Sequence, residues 1–125
     1  MCLDRLEKFP VRKNKDGWVV AWKVFIVPAW KKKTSGFLDF ACRTGGVYAG
    51  EKVHVATSGK VGAPGWRYRA GFHTYKTEYA AQKIASRFVV YIVRRVLLKD
   101  ITATGYQDGL RVIVARKMIV PKEGK

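Results

Sequence analysis

The stretch RYRAGFHTYKTEYAAQKIA, Arg67 to Ala85, decides the fold class because a strand pattern changes into a helix pattern within it. Its first residues alternate between aromatic or small side chains and basic ones, which predicts a short strand ending near Phe72. Thr77 followed by Glu78 is typical of a helix N-cap with an acid in the first turn. One side of the following helix is apolar and carries Ala80, Ala81, Ile84, Ala85 and Phe88. The segment therefore predicts a helix over about residues 77–88.

Strand patterns lie on both sides of this helix. WVVAWKVFIV, residues 18–27, is rich in β-branched and aromatic side chains and predicts a largely buried strand. Similar residues return at 89–98, and Asp108-Gly109 predicts a tight turn before a last strand at 110–120. The pattern predicts an antiparallel pairing at this end of the chain.

Glycines punctuate the middle of the chain. The sequence there allows short strands at residues 37–42 and 52–57 but no long helix, and it predicts a loop over residues 58–65.

Taken together, these predicted strands and the helix indicate an α+β fold, a mainly antiparallel sheet with one principal helix packed on it. A chain of 125 residues has the size of a single domain. We expect this domain to span residues 1–125, with flexible polar ends at 1–16 and 121–125.

Charge is the outlying property of the composition. The chain carries 25 Lys and Arg against 9 Asp and Glu, a formal net charge of +16, and the excess is present in both halves. Such a surface attracts polyanions, so the expected partner is nucleic acid or a nucleoprotein complex. An acidic protein surface is the alternative partner of the same charge.

Basic side chains next to aromatic rings are the candidate contacts. Arg and Lys neutralise phosphates, and exposed rings stack on unpaired bases. The alternative is that the rings belong to the core and the cations solvate the other face. The candidates for contact with nucleic acid or an acidic partner are Lys31, Lys32 and Lys33 after Trp30, Lys60 in the glycine-rich loop, and Arg67 and Arg69 beside Trp66 and Tyr68.

The sequence contains no recognisable motif for a metal site, a nucleotide-binding P-loop or a set of catalytic residues. Cys2, Cys42, His54 and His73 lack the close pairing that a zinc site shows, so neither a metal nor another cofactor is expected. The N-terminus lacks the apolar run of a signal peptide, and charged residues interrupt both long apolar stretches, so we expect a cytoplasmic protein and no membrane contact.

Two stretches, AGFHTYKTEYAAQKIA and DITATGYQDGLRVIVARKMIV, together resemble small, mostly phage-encoded domains of unknown function. In that pattern a Gly, an apolar residue, His, any residue and an aromatic precede an Ala-rich helix, and the chain closes on a Val-Ala-Arg-like strand. Those positions are filled here by Gly71, Phe72, His73, Thr74 and Tyr75, and by Val114, Ala115 and Arg116. The resemblance implies a phage protein that acts in the host cytoplasm.

The pattern also looks distantly like an ADP-ribosyltransferase core, which implies an NAD pocket with His73 and Tyr75 near the nicotinamide. That family needs a His or Arg on its first strand and a late Glu. This chain has Lys23 on its first long strand, and the acids after Glu78 are Asp100, Asp108 and Glu123, none on the expected strand. A supporting role for His73 is therefore favoured over a chemical one.

The charge, the size and the lack of a catalytic set favour a small, basic accessory protein without enzymatic activity, and the resemblance implies that it is of phage type. It would bind nucleic acid or a host complex that handles nucleic acid, such as a defence system. The alternatives are an ADP-ribosyltransferase-like enzyme that uses NAD and an inhibitor that binds an acidic surface of a host protein.

Overall fold

A computed structural model describes residues 3–26, 37–39, 47–48, 53–56, 60–61, 68–69, 71–87 and 91–121. Within these ranges ten strands and one helix follow in chain order: β1 Arg5–Leu6, β2 Val19–Ile26, β3 Phe37–Asp39, β4 Val47–Tyr48, β5 His54–Val55, β6 Lys60–Val61, β7 Tyr68–Arg69, β8 Phe72–Tyr75, α1 Glu78–Ala85, β9 Tyr91–Gln107 and β10 Leu110–Ile119. Every strand pairing is antiparallel. The mainly antiparallel sheet with one helix is confirmed, although the helix is short and the sheet dominates.

The sheet closes on itself through β9. This strand of 17 residues pairs with β2 along its first half and with β10 along its second half. β10 pairs in turn with β8, and β8 returns to β2 through the single pair Tyr75 and Trp22. Strands β2, β9, β10 and β8 therefore form a small closed ring, which removes the open edges that these four strands would otherwise expose.

The hairpin between β9 and β10 is built by the predicted turn. Asp108 and Gly109 have φ values of 53° and 75°, so both central residues lie in the left-handed region that an Asp-Gly turn favours. Gln107 pairs with Leu110 directly beyond it. The prediction of a tight turn before the last strand is confirmed.

Two core clusters lie on opposite faces of the ring. The face of β2 that carries Val19, Ala21 and Phe25 belongs to the first cluster, which Phe72 and Ile113 complete from β8 and β10. The helix packs on the other face, against β2, β8 and β9. The apolar side of the helix fills this second cluster with Ala80, Ala81, Ile84 and Ala85.

The helix begins where the sequence predicts it to begin. The Thr77 side chain accepts a hydrogen bond of 3.2 Å from the backbone N–H of Ala80, and Glu78 lies in the first turn. The cap satisfies one of the N–H groups that have no partner within the helix. The Glu78 carboxylate interacts favourably with the positive end of the helix dipole. The predicted helix is confirmed over Glu78–Ala85, shorter than the expected residues 77–88.

Two predicted boundaries differ from the structure. The strand expected to end near Phe72 is divided in two, because β8 begins at Phe72 and continues through His73 to Tyr75. Residues 58–65, expected to be a loop, contain β6, whose Lys60 and Val61 pair with β7. In both places tertiary pairing overrides the local turn signals of nearby glycines.

Residues 1–16, expected to be a flexible polar end, include several residues within their described part, 3–16, that contribute to the sheet and the core. Leu3 is buried in the second cluster, and Phe9 and Val11 pack against the first. Arg5 and Leu6 form β1, which pairs with Tyr106 and Gly105 of β9. The apolar side chains that make these contacts are spaced too irregularly to show a strand or helix period.

Lys23 is the most unusual member of the interior. It lies on the same face of β2 as Ala21 and Phe25, and its side chain is 1% exposed. Its ammonium group donates a hydrogen bond of 2.8 Å to the backbone carbonyl of His73. Because β2 and β8 share only one registered pair, this bond joins the two strands where their ladder ends.

No described helix is both long enough and apolar enough to cross a membrane.

Candidate nucleic-acid interface

The structure describes two of the six predicted contact residues. Lys60 of β6 and Arg69 of β7 lie directly opposite each other in the register of their two-stranded sheet. Residues Lys31, Lys32, Lys33 and Arg67 lie outside the described residues. The predicted interface is therefore represented by one pair of neighbouring basic positions.

A second group of cations, which the sequence did not reveal, lies across the neighbouring ends of four strands. Arg5 of β1 pairs with Tyr106 of β9, and Tyr106 pairs with Arg111 of β10. The backbone N–H of Lys76, the residue after β8, donates a 3.0 Å hydrogen bond to the carbonyl of Arg111. Directly opposite residues point to the same face, so Arg5, Tyr106, Arg111 and Lys76 form a continuous line. We call these four residues the cationic row.

Tyr106 holds the two arginines of the cationic row in place. The Arg5 guanidinium carbon lies 4.3 Å from the centroid of the Tyr106 ring. On the other side, Nε of Arg111 donates a 3.3 Å hydrogen bond to the Tyr106 hydroxyl, and this bond raises the pKa of the Arg111 guanidinium above its usual value. Stacking and hydrogen bonding restrict both side chains, so less conformational entropy is lost when either one binds an anion.

The Phe9 ring packs against the end of the cationic row formed by Arg111 and Lys76. Lys76 Nζ lies 5.2 Å and the Arg111 guanidinium carbon 5.7 Å from the centroid of its ring, both within cation–π range. The Phe9 and Tyr106 rings meet edge to face with centroids 6.4 Å apart. Phe9 also packs against the first core cluster, so it connects the row to the core of the domain.

The cationic row is accessible, and acids border one end of it. The Arg5 side chain is 66% exposed and forms a 3.3 Å ion pair with Glu7. At the nearby turn, the Asp4 carboxylate accepts a 2.8 Å hydrogen bond from the backbone N–H of Asp108. Ion pairs between exposed side chains are weak, typically below about 1 kcal/mol, so a phosphate can compete with Glu7 for Arg5.

His73, the candidate pocket residue, is half-buried and hydrogen-bonded on both sides of its ring. Nε2 lies 3.1 Å from the Tyr68 hydroxyl and Nδ1 lies 3.2 Å from the Gly71 carbonyl. The backbone N–H of Leu3 donates to the same hydroxyl at 2.9 Å. A neutral ring with its proton on Nδ1 satisfies all three contacts, since the hydroxyl proton then points to Nε2. These bonds connect β7, β8 and the segment before β1.

Tyr75, the second candidate pocket residue, lies in the core beneath the helix and is 6% exposed. Burial penalises the charged phenolate and raises the pKa of Tyr75 to about 12, from 10.0 for a free tyrosine.

This shift predicts a loss of stability at high pH that depends on Tyr75. Between about pH 10 and 12 the unfolded chain releases the phenolic proton while the folded chain retains it, so the free energy of unfolding falls as pH rises through that window. Urea unfolding of Tyr75→Phe across this range should show a shallower pH dependence than wild type. Tyr79, 75% exposed on the helix, provides the control, because Tyr79→Phe should keep the wild-type slope. Equal slopes for wild type and Tyr75→Phe would contradict the burial effect.

Two open grooves lie beside each other on the second half of β9. They have volumes of about 600 and 480 Å³ and share Ile101 and Thr102 in their walls. His73 and Tyr75 line neither of these two grooves. Among the described residues, no three His, Cys, Asp or Glu side chains are grouped to hold a metal ion.

Sequence reasoning missed the cationic row because its members are far apart along the chain. The pairing of Arg5 with Tyr106 depends on a register set by the whole sheet. The one local signal was the Asp108-Gly109 turn, which places Tyr106 and Arg111 opposite each other once the hairpin is recognised.

Comparisons of the chain with protein-family models, with curated proteins and with solved structures find no match.

Proposed function

We propose that this protein binds nucleic acid through the cationic row, without enzymatic activity, as a phage-type accessory protein. The observation that carries the proposal is the alignment of Arg5, Arg111 and Lys76 on one face, around the rings of Tyr106 and Phe9. Cations in a line suit a phosphate backbone, whose charges also follow a line.

The net charge of +16 supports the same proposal over the whole molecule. A strongly basic domain attracts polyanions over several ångströms and accelerates their encounter. Lys60 and Arg69, opposite each other in register, remain predicted contacts, as do Lys31, Lys32, Lys33 and Arg67. The nucleic acid can be free or part of a host complex, including one that acts in defence.

The test is binding to labelled DNA and RNA across a salt series, measured by fluorescence anisotropy with the full chain. If phosphates supply most of the affinity, the logarithm of the binding constant should fall linearly with the logarithm of the salt concentration. Absence of binding to all nucleic acids at about 50 mM salt, where phosphate contacts are strong, would overturn the proposal.

A nuclease-treated pull-down separates this proposal from a protein-binding function. Nucleic acid recovered before nuclease treatment and no single protein retained after it would support direct binding. One host protein retained after treatment would instead support the inhibitor function, and a thermal shift with NAD would support the transferase-like alternative.

A further inference from the structure

We infer that the cationic row recognises single-stranded nucleic acid in preference to duplex, with a base stacked at the Arg5–Tyr106 pair. This inference rests on the proposed function and names the class of ligand for the same site. It follows from the Tyr106 ring in the row and the Phe9 ring beside it, from the exposure of Arg5, and from the acids at one end of the row.

The rings supply a surface that only unpaired bases can use. Tyr106 lies between two cations of the row, and the Phe9 ring meets the Tyr106 ring edge to face beside it. In a duplex the faces of the bases are covered by their neighbours, whereas a single strand can turn a base out onto an aromatic ring or a guanidinium plane.

The Arg5 guanidinium is itself part of this surface. It lies over the Tyr106 ring at 4.3 Å, and its side chain is 66% exposed. Bases stack on guanidinium planes as they do on aromatic rings, and the exposure of Arg5 leaves its guanidinium accessible to a base. The same group still carries a charge for the adjoining phosphate, so one residue can contact both parts of a nucleotide.

The acids near Arg5 disfavour a duplex. Glu7 pairs with Arg5, and Asp4 and Asp108 are linked at the neighbouring hairpin turn. Neighbouring strands are about 4.8 Å apart, so Arg5 and Arg111, two strands apart, are separated by roughly 10 Å along the row. A stiff duplex with two charged backbones would bring phosphates close to these carboxylates, whereas a flexible single strand can follow the row and avoid them.

The experiment compares three ligands of equal length on the full chain: an oligothymidylate, an oligomer of abasic sites and a duplex. The abasic oligomer has the phosphates of a single strand but no bases. The variants are Tyr106→Leu, which removes the ring, and Arg5→Lys, which keeps the charge and removes the plane. Matched controls are Tyr79→Leu on the exposed helix surface and Arg12→Lys at an exposed position of the N-terminal segment.

The expected result is that the oligothymidylate binds at least about fivefold more tightly than the abasic oligomer and the duplex. Tyr106→Leu and Arg5→Lys should each remove most of this difference, while both controls keep it. Arg5→Lys should leave the salt dependence unchanged because its charge remains. Since Arg5 is exposed, this variant tests the inference even if Tyr106→Leu unfolds.

Equal binding of the oligothymidylate and the abasic oligomer, or tighter binding of the duplex, would overturn the inference and leave the proposed function standing. Failure of all three ligands to bind would overturn the proposed function itself. A ring effect that appears equally in the Tyr79→Leu control would place base stacking elsewhere on the protein and overturn the assignment to the row.

Discussion

Replacement of Gly71 by alanine should lower the free energy of unfolding by about 3 kcal/mol, the upper end of the usual cost of overpacking. A Cβ at Gly71 would lie 2.4 Å from the carbonyl oxygen of Ala115 and 2.8 Å from its carbon. Both atoms belong to the backbone of β10, where Ala115 is paired with Phe72 of β8 and with Ile101 of β9. No flexible side-chain end can move aside, so the strand itself must shift.

Gly17 provides the matched control for this prediction. A Cβ there meets nothing within 4 Å, but the residue has a φ of +83°, so Gly17→Ala carries backbone strain alone. That strain costs about 1 kcal/mol. In urea unfolding, Gly71→Ala should lose about three times as much stability as Gly17→Ala, with unchanged m values. Similar losses in the two variants would contradict the close approach of Gly71 to β10.

Replacement of Lys23 by alanine should also cost about 3 kcal/mol, because a long buried side chain is removed and a cavity remains. The variant also loses the hydrogen bond from the ammonium group to the His73 carbonyl. Since that bond joins β2 to β8 where their pairing ends, the loss weakens the closure of the ring. Thermal unfolding followed by circular dichroism measures the change.

Lys23→Met separates packing from hydrogen bonding. Methionine fills most of the lysine volume but cannot donate, so its cost should be closer to about 1 kcal/mol. The order wild type, Lys23→Met, Lys23→Ala is expected for decreasing stability. Wild-type stability of Lys23→Ala would show that the side chain is not enclosed in the core.

The sequence predicts those parts of the fold whose signals are local. Thr77 and Glu78 mark the start of the helix, and Asp108-Gly109 marks the hairpin, because capping and left-handed turns depend on a few adjacent residues. The long strand at 18–27 is recognised for the same reason and is observed over Val19–Ile26.

Features set by distant pairing are not visible in the sequence. The burial of Lys23 depends on β8 lying beside β2, about fifty residues later in the chain, and nothing next to Lys23 indicates this. The cationic row requires Arg5, Tyr106 and Arg111 to meet in register, although Arg5 lies in a segment that reads as a polar end. A run of charges such as Lys31 to Lys33 is visible in the sequence because its residues are contiguous. The residues on one face of a sheet come from different strands, so their proximity is not visible in the sequence.

The measurement that tests the central claim most directly is the salt dependence of single-strand binding for Arg5→Gln/Arg111→Gln. Each phosphate contact contributes about 0.7 to the slope of the logarithm of affinity against the logarithm of salt, so removing two should reduce the slope by about 1.4. Lys15→Gln/Lys83→Gln, which removes two exposed charges outside the row, is the control. The account predicts a reduced slope and roughly tenfold weaker binding for the row variant, against near wild-type values for the control. Equal slopes and affinities for the two double variants would contradict it.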